Sequence, residues 1–592
     1  MSEYHAPVKE MLFVLRHVAG LEAVGRLPGY EDITPDLVES VLTEAALLAT
    51  NVIAPTNRIG DAQGTRVADG QVIVPPEFTS AYREFASGGW AGLSQNPDFG
   101  GQGLPYLVGV AVEEMWQAAN LAWSLGPLLT QGAARAIEAH GSDAQRALYL
   151  PRMVAGEWSG TMNLTEPQAG SDLAAVRSQA VPDGDRYRIT GQKIFITWGD
   201  HDMTANVVHL VLARLPDAPA GTRGLSLFLV PKFIPQADGQ PGARNSVHVV
   251  SVEHKLGIHG SPTCVMAFEG ALGELMGGKH QGLACMFTMM NHARLGVGME
   301  GIAIAERAYQ QARAYARERV QGRVPGIDGR AAIIHHADVR RMLLTMKAQI
   351  EAMRGVACIA AASLDHAHRA TDPAERARHQ ARVDLLTPVV KGWCTETGQQ
   401  LTSVGLQVHG GMGYVEETGA AQHFRDGRIT TIYEGTTGIQ ANDLIGRKIA
   451  REGGATIKAV VGIMKQVEAA LAKQPGEEFA AIHAGFARGV QALTEAATHI
   501  ATRFAQDIKG VHVGAVPFLR LMGIVSGGWQ MARAALVAQQ KLAAAEGDAR
   551  FYQAKITTAR FYADHLLSQA PGLAATVVSG GAGALGIPEE AL

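Results

Sequence analysis

The chain is poor in the residues that mark several common classes of protein. Four cysteines occur among 592 residues (Cys264, Cys285, Cys358 and Cys394). They are widely spaced and form no Cys-x-x-Cys, so neither a disulfide framework nor a cysteine zinc site is indicated. Charged residues make up only 18%, the formal net charge is −4, and no block of Lys and Arg stands out. A basic nucleic-acid footprint is therefore not expected. No His-Glu-x-x-His occurs. His335-His336 and His366-x-His368 remain, and residues two apart do not share a helix face, so these read as ordinary exposed or partly buried histidines.

Long apolar runs are also missing. The opening "MSEYHAPVKEMLFVLRHVAG" has a short apolar run broken by Arg16 and His17. It lacks the apolar core and small-residue cleavage site of a signal peptide. No uncharged stretch has the length of a bilayer span, so no membrane span is expected and the expected location is cytoplasmic.

What the chain has in quantity is glycine, 68 residues, together with 47% hydrophobic residues. That composition is globular, and the length asks for several domains. From about Thr34 to Gly156 the patterns are helical; "TPDLVESVLTEAALLATNVIAP" spaces its apolar residues by three and four behind a capping Thr and a Pro. After Glu157 the chain breaks into short segments rich in β-branched residues, such as "RYRITGQKIFIT", "NVVHLVLARL" and "GLSLFLVPKF", which read as strands. Helical spacing returns after Gly278 and continues to the end, with a boundary near "REGGAT". The expected domains are 1–156 (helical), 157–278 (β), 279–453 (helical) and 454–592 (an additional helical region).

Three glycine patterns imitate nucleotide motifs. "GVGMEG" (Gly296–Gly301) matches G-x-G-x-x-G, but it lies inside a helical pattern and follows no strand, so close helix packing explains it better. "GAGALG" (Gly581–Gly586) follows a strand-like "ATVVSG" but has too little chain after it for a nucleotide fold. "GELMGGKH" places His280 where a P-loop needs Ser or Thr.

Four other stretches suit cofactor chemistry. "MNLTEPQAGSDL" (Met162–Leu173) packs hydroxyls and free loop N–H groups into a segment that cannot be regular helix; it suits a polar cofactor, or a capped polar linker. "KIFITWGD" ends a strand, and alternation sends Phe195 and Thr197 to one face, an aromatic ring beside a hydroxyl. "LQVHGGMGYVEE" removes side chains from a turn at Gly410, Gly411 and Gly413, with Gln407 beside it. "TTIYEGTTGIQ" holds one carboxylate, Glu434, followed by Gly435 and Thr436.

In this order, over roughly Thr34 to Arg447, these segments resemble the acyl-CoA dehydrogenase family. "TEPQAGSD" is similar to the family's flavin loop, "KIFIT" to its Lys-x-x-Ile-Thr strand with Phe195 where many members have Trp, and "ARERVQGR" to its Arg-x-Gln-Phe-Gly with Gly322-Arg323 in place of Phe-Gly. "QVHGGMGY" and "YEGTTGIQ" complete the set, and the added C-terminal region resembles the branch of about 600 residues that includes 3-methylmercaptopropionyl-CoA dehydrogenases and fatty acyl-CoA dehydrogenases.

The resemblance implies a mainly α fold with a central β-barrel-like domain, FAD as cofactor, and α,β-dehydrogenation of an acyl-CoA. The alternative on the same fold is an acyl-CoA oxidase or flavin monooxygenase using O₂. It implies an electron-transfer flavoprotein as electron acceptor, a homodimer or dimer of dimers, and a place in fatty acid β-oxidation. Met162, Leu164, Thr165, Gly170 and Ser171 match the flavin loop; Phe195 and Thr197 match contacts to the isoalloxazine. Arg319, Gln321, Gln407, Gly410 and Gly411 match residues holding the ADP part, and Thr436 matches another FAD contact, with Gly438 in place of a common Gln. Ser171, Ser261, Asn291 (in place of a common Asp), Arg294 and Gly435 match substrate-side positions. Glu434 matches the base. Ala293 matches the position of the base in some other members and cannot serve, which strengthens the match of Glu434.

Overall fold

The structure, a computed structural model, describes residues 4–236 and 238–592; residues 1–3 of the opening stretch lie outside these. By its internal contacts the chain forms two compact units. Unit 1 comprises 1–43, 105–114 and 297–592; unit 2 comprises 44–104 and 115–296.

In unit 2 the apolar runs after Glu157 become a seven-stranded sheet. Its order is Val247–Val252, Thr263–Met276, Arg186–Thr197, Gln179–Asp183, Asn206–Arg214, Trp158–Asn163, and Leu225–Pro231 pairs with both Thr263–Met276 and Asn206–Arg214. That last strand closes the pairing path on itself, giving the barrel-like form expected. Asn206–Arg214 and Leu225–Pro231 are buried almost throughout, on both faces, as their near-continuous apolar sequences require. One face carries helix Leu121–His140, whose Leu129, Ala133 and Ile137 join Trp158, Leu210, Leu229 and Met289 in a single cluster. A small hairpin, Arg66–Ala68 with Gln71–Ile73, is an addition to the helical pattern expected for its region. Its turn is Asp69-Gly70, both with positive φ (50° and 73°), the pair that a two-residue hairpin turn prefers.

Unit 1 is helical. Three of its long helices are Ala337–Arg369, Pro373–His409 and Ala515–Ala543. Arg354 lies at the centre, buried, and its guanidinium donates to Glu114 at 2.6 Å and Glu306 at 3.0 Å. The C-terminal region packs through close approach. A Cβ on Gly523 would lie 2.1 Å from the ring of Trp393, so only glycine admits the indole there. Lys555 joins the same interior, pairing with Glu351 at 3.0 Å and with Glu10. The strand-like "ATVVSG" is helical, part of Ala570–Ser579; its two valines sit among alanines that favour helix, and Ala574 and Val577 are buried on one face.

Thr34 caps the helix it precedes, accepting from the Leu37 amide at 3.2 Å. The helical run Pro35–Gln63 is long and apolar enough to cross a membrane by length and composition, although charged residues interrupt it. Val38, Leu42, Ala45, Ala49 and Ile53 recur on it at spacings of three and four and are fully buried, which is also how a helix packs in a protein interior.

The glycines of "GVGMEG" lie within helix Gly282–Glu318. A Cβ would meet Leu128 at 2.4 Å from Gly296, Val390 at 2.4 Å from Gly298 and the Cys394 carbonyl at 2.5 Å from Gly301. Helix packing, not pyrophosphate, accounts for this motif.

One buried ion pair ties the polar loop of unit 2 to the sheet. Lys193 is fully buried, and its Nζ donates to Glu166 Oε1 at 2.8 Å and to the Leu164 carbonyl at 3.0 Å. Glu166 also accepts from the amides of Arg177 and Ser178 and from the Ser178 hydroxyl. Burial would push this carboxyl up, but Lys193 and the donors around it hold it down at about 2. Since the folded value lies below the ordinary 4.5, the stabilisation is present above that pH and is lost as pH falls toward 2. Lys193→Met strands the carboxylate and is expected to cost about 3–5 kcal/mol in urea unfolding at pH 7; the deficit should shrink as pH is lowered through 4.

Candidate functional site

The two units each carry part of the matched residues. In unit 2 the loop after Trp158–Asn163 turns at Pro167-Gln168, closed by paired backbone bonds between Glu166 and Ala169 (3.0 and 2.9 Å). Met162 and Thr165 are half-buried and Leu164 is buried, while Gly170 and Ser171 are exposed with open space at the Gly170 Cβ position. Asp172, not Ser171, caps the short turn Leu173–Ala175. The Ile194 amide donates to the Thr165 carbonyl at 3.0 Å, which brings this loop beside the end of strand Arg186–Thr197.

That strand end is irregular. Its register with Thr263–Met276 slips between Cys264 and Met266, so two residues, Ile194 and Phe195, face one, Val265. The bulge puts Phe195 in the left-handed region (φ 57°) and breaks simple alternation: Lys193 and Ile196 are both buried, three positions apart. The Phe195 ring is 59% exposed, unusual for a large aromatic, and Thr197 is half-buried two residues on. Ser261 is fully buried, and its hydroxyl has no hydrogen-bond partner among the described residues. Arg294 is buried, stacks its guanidinium 5.7 Å over Phe287 and reaches exposed Asn291 at 3.4 Å. Ala293 is buried between them.

In unit 1, helix Gly282–Glu318 ends just before Arg319 and Gln321, which are exposed on a turn held by a bridge between Val320 and Ala332. Gly322 takes φ 71°, so the glycine that departs from the family pattern serves the turn itself. Exposed Gln407 and Gly410 close helix Pro373–His409, and neither Gly410 nor Gly411 has any atom within 4 Å of a Cβ position. These glycines leave room for a ligand and are not filled by packing.

Glu434 is half-buried and, although it bears a side chain, adopts φ 55°; Gly435 follows at 89°. The next turn is a helix, Thr437–Asp443, capped by exposed Thr436, which accepts from the Ile439 amide at 3.4 Å. Two fully buried side chains pin the strained pair. Gln440 Nε2 donates to the Glu434 carbonyl at 3.1 Å, and Lys391 Nζ donates to the Gly435 carbonyl at 2.6 Å. The Tyr433 hydroxyl donates to Glu300, a fully buried acid on helix Gly282–Glu318. Lys391, Gln440 and Glu300 are residues that sequence patterns missed. They lie 43 and 134 positions before Glu434 or six after it inside ordinary helices; for Lys391 and Glu300 only the odd placement of charge in an apolar helix face hints at a role, and for Gln440 nothing does.

Two other constellations carry no chemistry of this kind. Ser159 Oγ lies 2.9 Å from His201 Nε2, but His201 Nδ1 accepts from the Met203 amide, so Nε2 bears the proton and the ring cannot act as a base toward that serine. His366, Glu375 and His379 gather at the join of two helices within 4.8 Å, a grouping hidden from motif spacing. The two imidazoles stack at 4.3 Å and 11°, and ring lone pairs lie in the ring planes, so the stacked rings do not aim at one ion between them.

Family descriptions match in sequence order: "Acyl-CoA dehydrogenase, N-terminal domain" over 43–157, "middle domain" over 161–271, "C-terminal domain" over 280–449, and "Acetyl-CoA dehydrogenase C-terminal like" over 463–588. The chain is 46% identical to a 3-methylmercaptopropionyl-CoA dehydrogenase of Ruegeria pomeroyi, covering 95% of this chain and 96% of that one. It is 35% identical to the broad-specificity linear acyl-CoA dehydrogenase FadE5 of Mycobacterium tuberculosis, covering 96% of each. Among solved structures, an acyl-CoA dehydrogenase complexed with FAD from Bacillus anthracis superposes with a TM-score of 0.74 at 18% identity, covering 94% of this chain and 90% of that chain, a likeness of fold. Family members are FAD flavoproteins. With its family matches in order along the chain and a relative aligned from end to end, this protein belongs to the acyl-CoA dehydrogenase family.

Proposed function

We propose that the chain is an FAD-dependent dehydrogenase that converts an acyl-CoA thioester to its trans-2-enoyl-CoA, with Glu434 as the base. The observation that carries this is the conformation of Glu434, a non-glycine residue held at φ 55° by buried side chains on its own and the following carbonyl. Backbone strain of this kind costs about 1–3 kcal/mol and persists where it aims a functional group. A solvated loop acid needs no such clamp.

In unit 2 the exposed Phe195 ring and the polar loop from Thr165 to Ser171 suit a flat heteroaromatic cofactor; in unit 1, taken by itself, the Gly410-Gly411 turn is free of side chains and leaves room for an ADP group. FAD, when bound, supplies the acceptor for the β-hydride. The remaining work falls to this chain. Glu434 accepts the α-proton of the thioester, a weak carbon acid, and, as the family resemblance implies, its backbone N–H donates to the thioester oxygen as enolate charge develops. Arg319, Gln321 and Gln407 hold the ADP part. Thr165, Ser171, Thr197 and Thr436 offer hydroxyls to the cofactor. Ser261 brings a buried, unpaired hydroxyl, and Arg294 a buried cation, for the substrate.

Of the acyl groups, 3-methylmercaptopropionyl ranks first, because the relative so named is 46% identical over nearly the whole chain, against 35% and 33% for relatives named for linear acyl and butyryl groups. The division into 1–156, 157–278, 279–453 and 454–592, cytoplasmic location, assembly as a homodimer or dimer of dimers, and electron delivery to an electron-transfer flavoprotein belong to the same proposal. Three of the four family matches fall inside these divisions, and the first runs one residue past 156.

An acyl-CoA panel assayed with an artificial electron acceptor tests both base and substrate. Glu434→Gln should keep the yellow FAD absorbance while kcat falls by about 10²- to 10⁴-fold on every acyl-CoA that the wild type oxidises. Near-normal turnover would assign the base elsewhere, and fast turnover with O₂ alone would make the protein an oxidase. Phe195→Ala should weaken FAD retention by roughly tenfold in equilibrium dialysis; unchanged affinity removes the ring from the cofactor site.

A further inference from the structure

Glu300 is a carboxylic acid with no place in the reaction as described. It sits on helix Gly282–Glu318 inside unit 1, fully buried, where small and apolar residues would pack at lower cost. Oε2 accepts the Tyr433 hydroxyl, while Oε1 has no hydrogen-bond partner among the described residues. Tyr433 is the residue immediately before Glu434. Besides the Tyr433 hydroxyl, the charges of Lys391, Glu434 and Glu113 act on Glu300. Lys391 spends a hydrogen bond on the Gly435 carbonyl, so the same cation steadies the strained loop and stands near the buried acid.

The physical consequence is a choice of where the cluster keeps a proton. Neighbouring carboxylates in a dry interior do not both ionise cheaply, and their titrations become properties of the pair. Burial pushes the Glu300 carboxyl up to about 8; the Tyr433 hydrogen bond and Lys391 oppose this, and the charges of Glu434 and Glu113 add to it. Burial likewise raises the Tyr433 hydroxyl well above its ordinary value, so it remains the donor. At neutral pH Glu300 is therefore the protonated member.

We propose that Glu300 is a positioning residue for Glu434: through Tyr433 it fixes the loop that aims the base, and by holding a proton of its own it leaves Glu434 to carry the negative charge that accepts the substrate's α-proton. The proposal rests on Glu434 being the base. When Glu300 ionises, a second anion enters the cluster and changes the proton affinity of Glu434, so the site has a titration that a lone base would lack.

The test uses the FAD-loaded enzyme and two readouts. In the wild type, kcat against pH should show, besides the ionisation of the base, a further change of at least about threefold centred near pH 8. Glu300→Gln, whose amide still accepts the Tyr433 hydroxyl but cannot ionise, should lose that inflection while remaining more active than Glu300→Ala or Tyr433→Phe. An inflection near pH 8 that persists in Glu300→Gln overturns the proposal. The second readout is Tm against pH. A carboxyl raised from 4.5 to about 8 on folding loses stability as pH rises through that window, because the unfolded chain ionises first. The Tm of Glu300→Gln should therefore climb relative to wild type between about pH 4.5 and 8, and parallel curves overturn the proposal. If Glu300→Gln does not fold, Tyr433→Phe answers the same question: loss of the hydroxyl raises the Glu300 titration and must move the inflection upward, and an unmoved inflection sinks the idea. Glu434→Gln separates the two claims. If it remains active, the base assignment fails, whereas the pH dependence of Tm still reports on Glu300 alone.

Discussion

The loop of unit 1 that carries the candidate base depends on one constraint: two adjacent residues, Glu434 and Gly435, are held with positive φ. Glycine takes that conformation at no steric cost, but Glu434 does not. The conformation survives because buried donors, Lys391 and Gln440, grip the two carbonyls, and because the Thr436 cap starts a helix at once on the far side. The Tyr433 hydroxyl adds a third hold on the near side by bonding to Glu300. Lys391 and Glu300 come from long helices of unit 1, while Gln440 and Thr436 come from the short helix that follows, so the loop is held both by the helices packed around it and by its own continuation.

Unit 2 solves a related problem with the same means. Its polar loop must remain irregular to offer hydroxyls and amides, yet it must be fixed. A buried Lys193–Glu166 pair, with four further donors on the carboxylate, anchors one end, and the Thr165–Ile194 backbone bond ties the loop to the strand that bears Phe195. In both units a lysine is taken wholly out of water to hold loop backbone or a loop carboxylate. Such groups are costly to bury and costly to remove, which explains why function and fold stability are hard to separate at these positions.

Much of this was legible in the residues themselves. The switch from helical to strand character after Glu157 and back after Gly278 follows from side-chain periodicity, which local sterics impose whatever the tertiary context. The helical setting of "GVGMEG" likewise follows from its surrounding periodicity, and its glycines meet Leu128, Val390 and Cys394 in helix packing. The hairpin at Asp69-Gly70 carries a turn signal that its helical surroundings obscured. "ATVVSG" looked like a strand because two adjacent valines outweigh their alanine neighbours over so short a window, whereas packing of Ala574 and Val577 decides for helix. The alternation assumed for Phe195 and Thr197 failed at a β-bulge, which depends on the partner strand and leaves no mark in one strand's own sequence.

The sequence by itself determined the family motifs, the order of helical and β regions and the single carboxylate at Glu434, because these rest on residue types at short spacings. Only the tertiary structure decided what holds that carboxylate: Lys391, Gln440 and the Glu300–Tyr433 bond. Helix packing brings Glu300 and Lys391 to the loop from 134 and 43 positions away, and burial raises the carboxyl of a glutamate in an apolar helix.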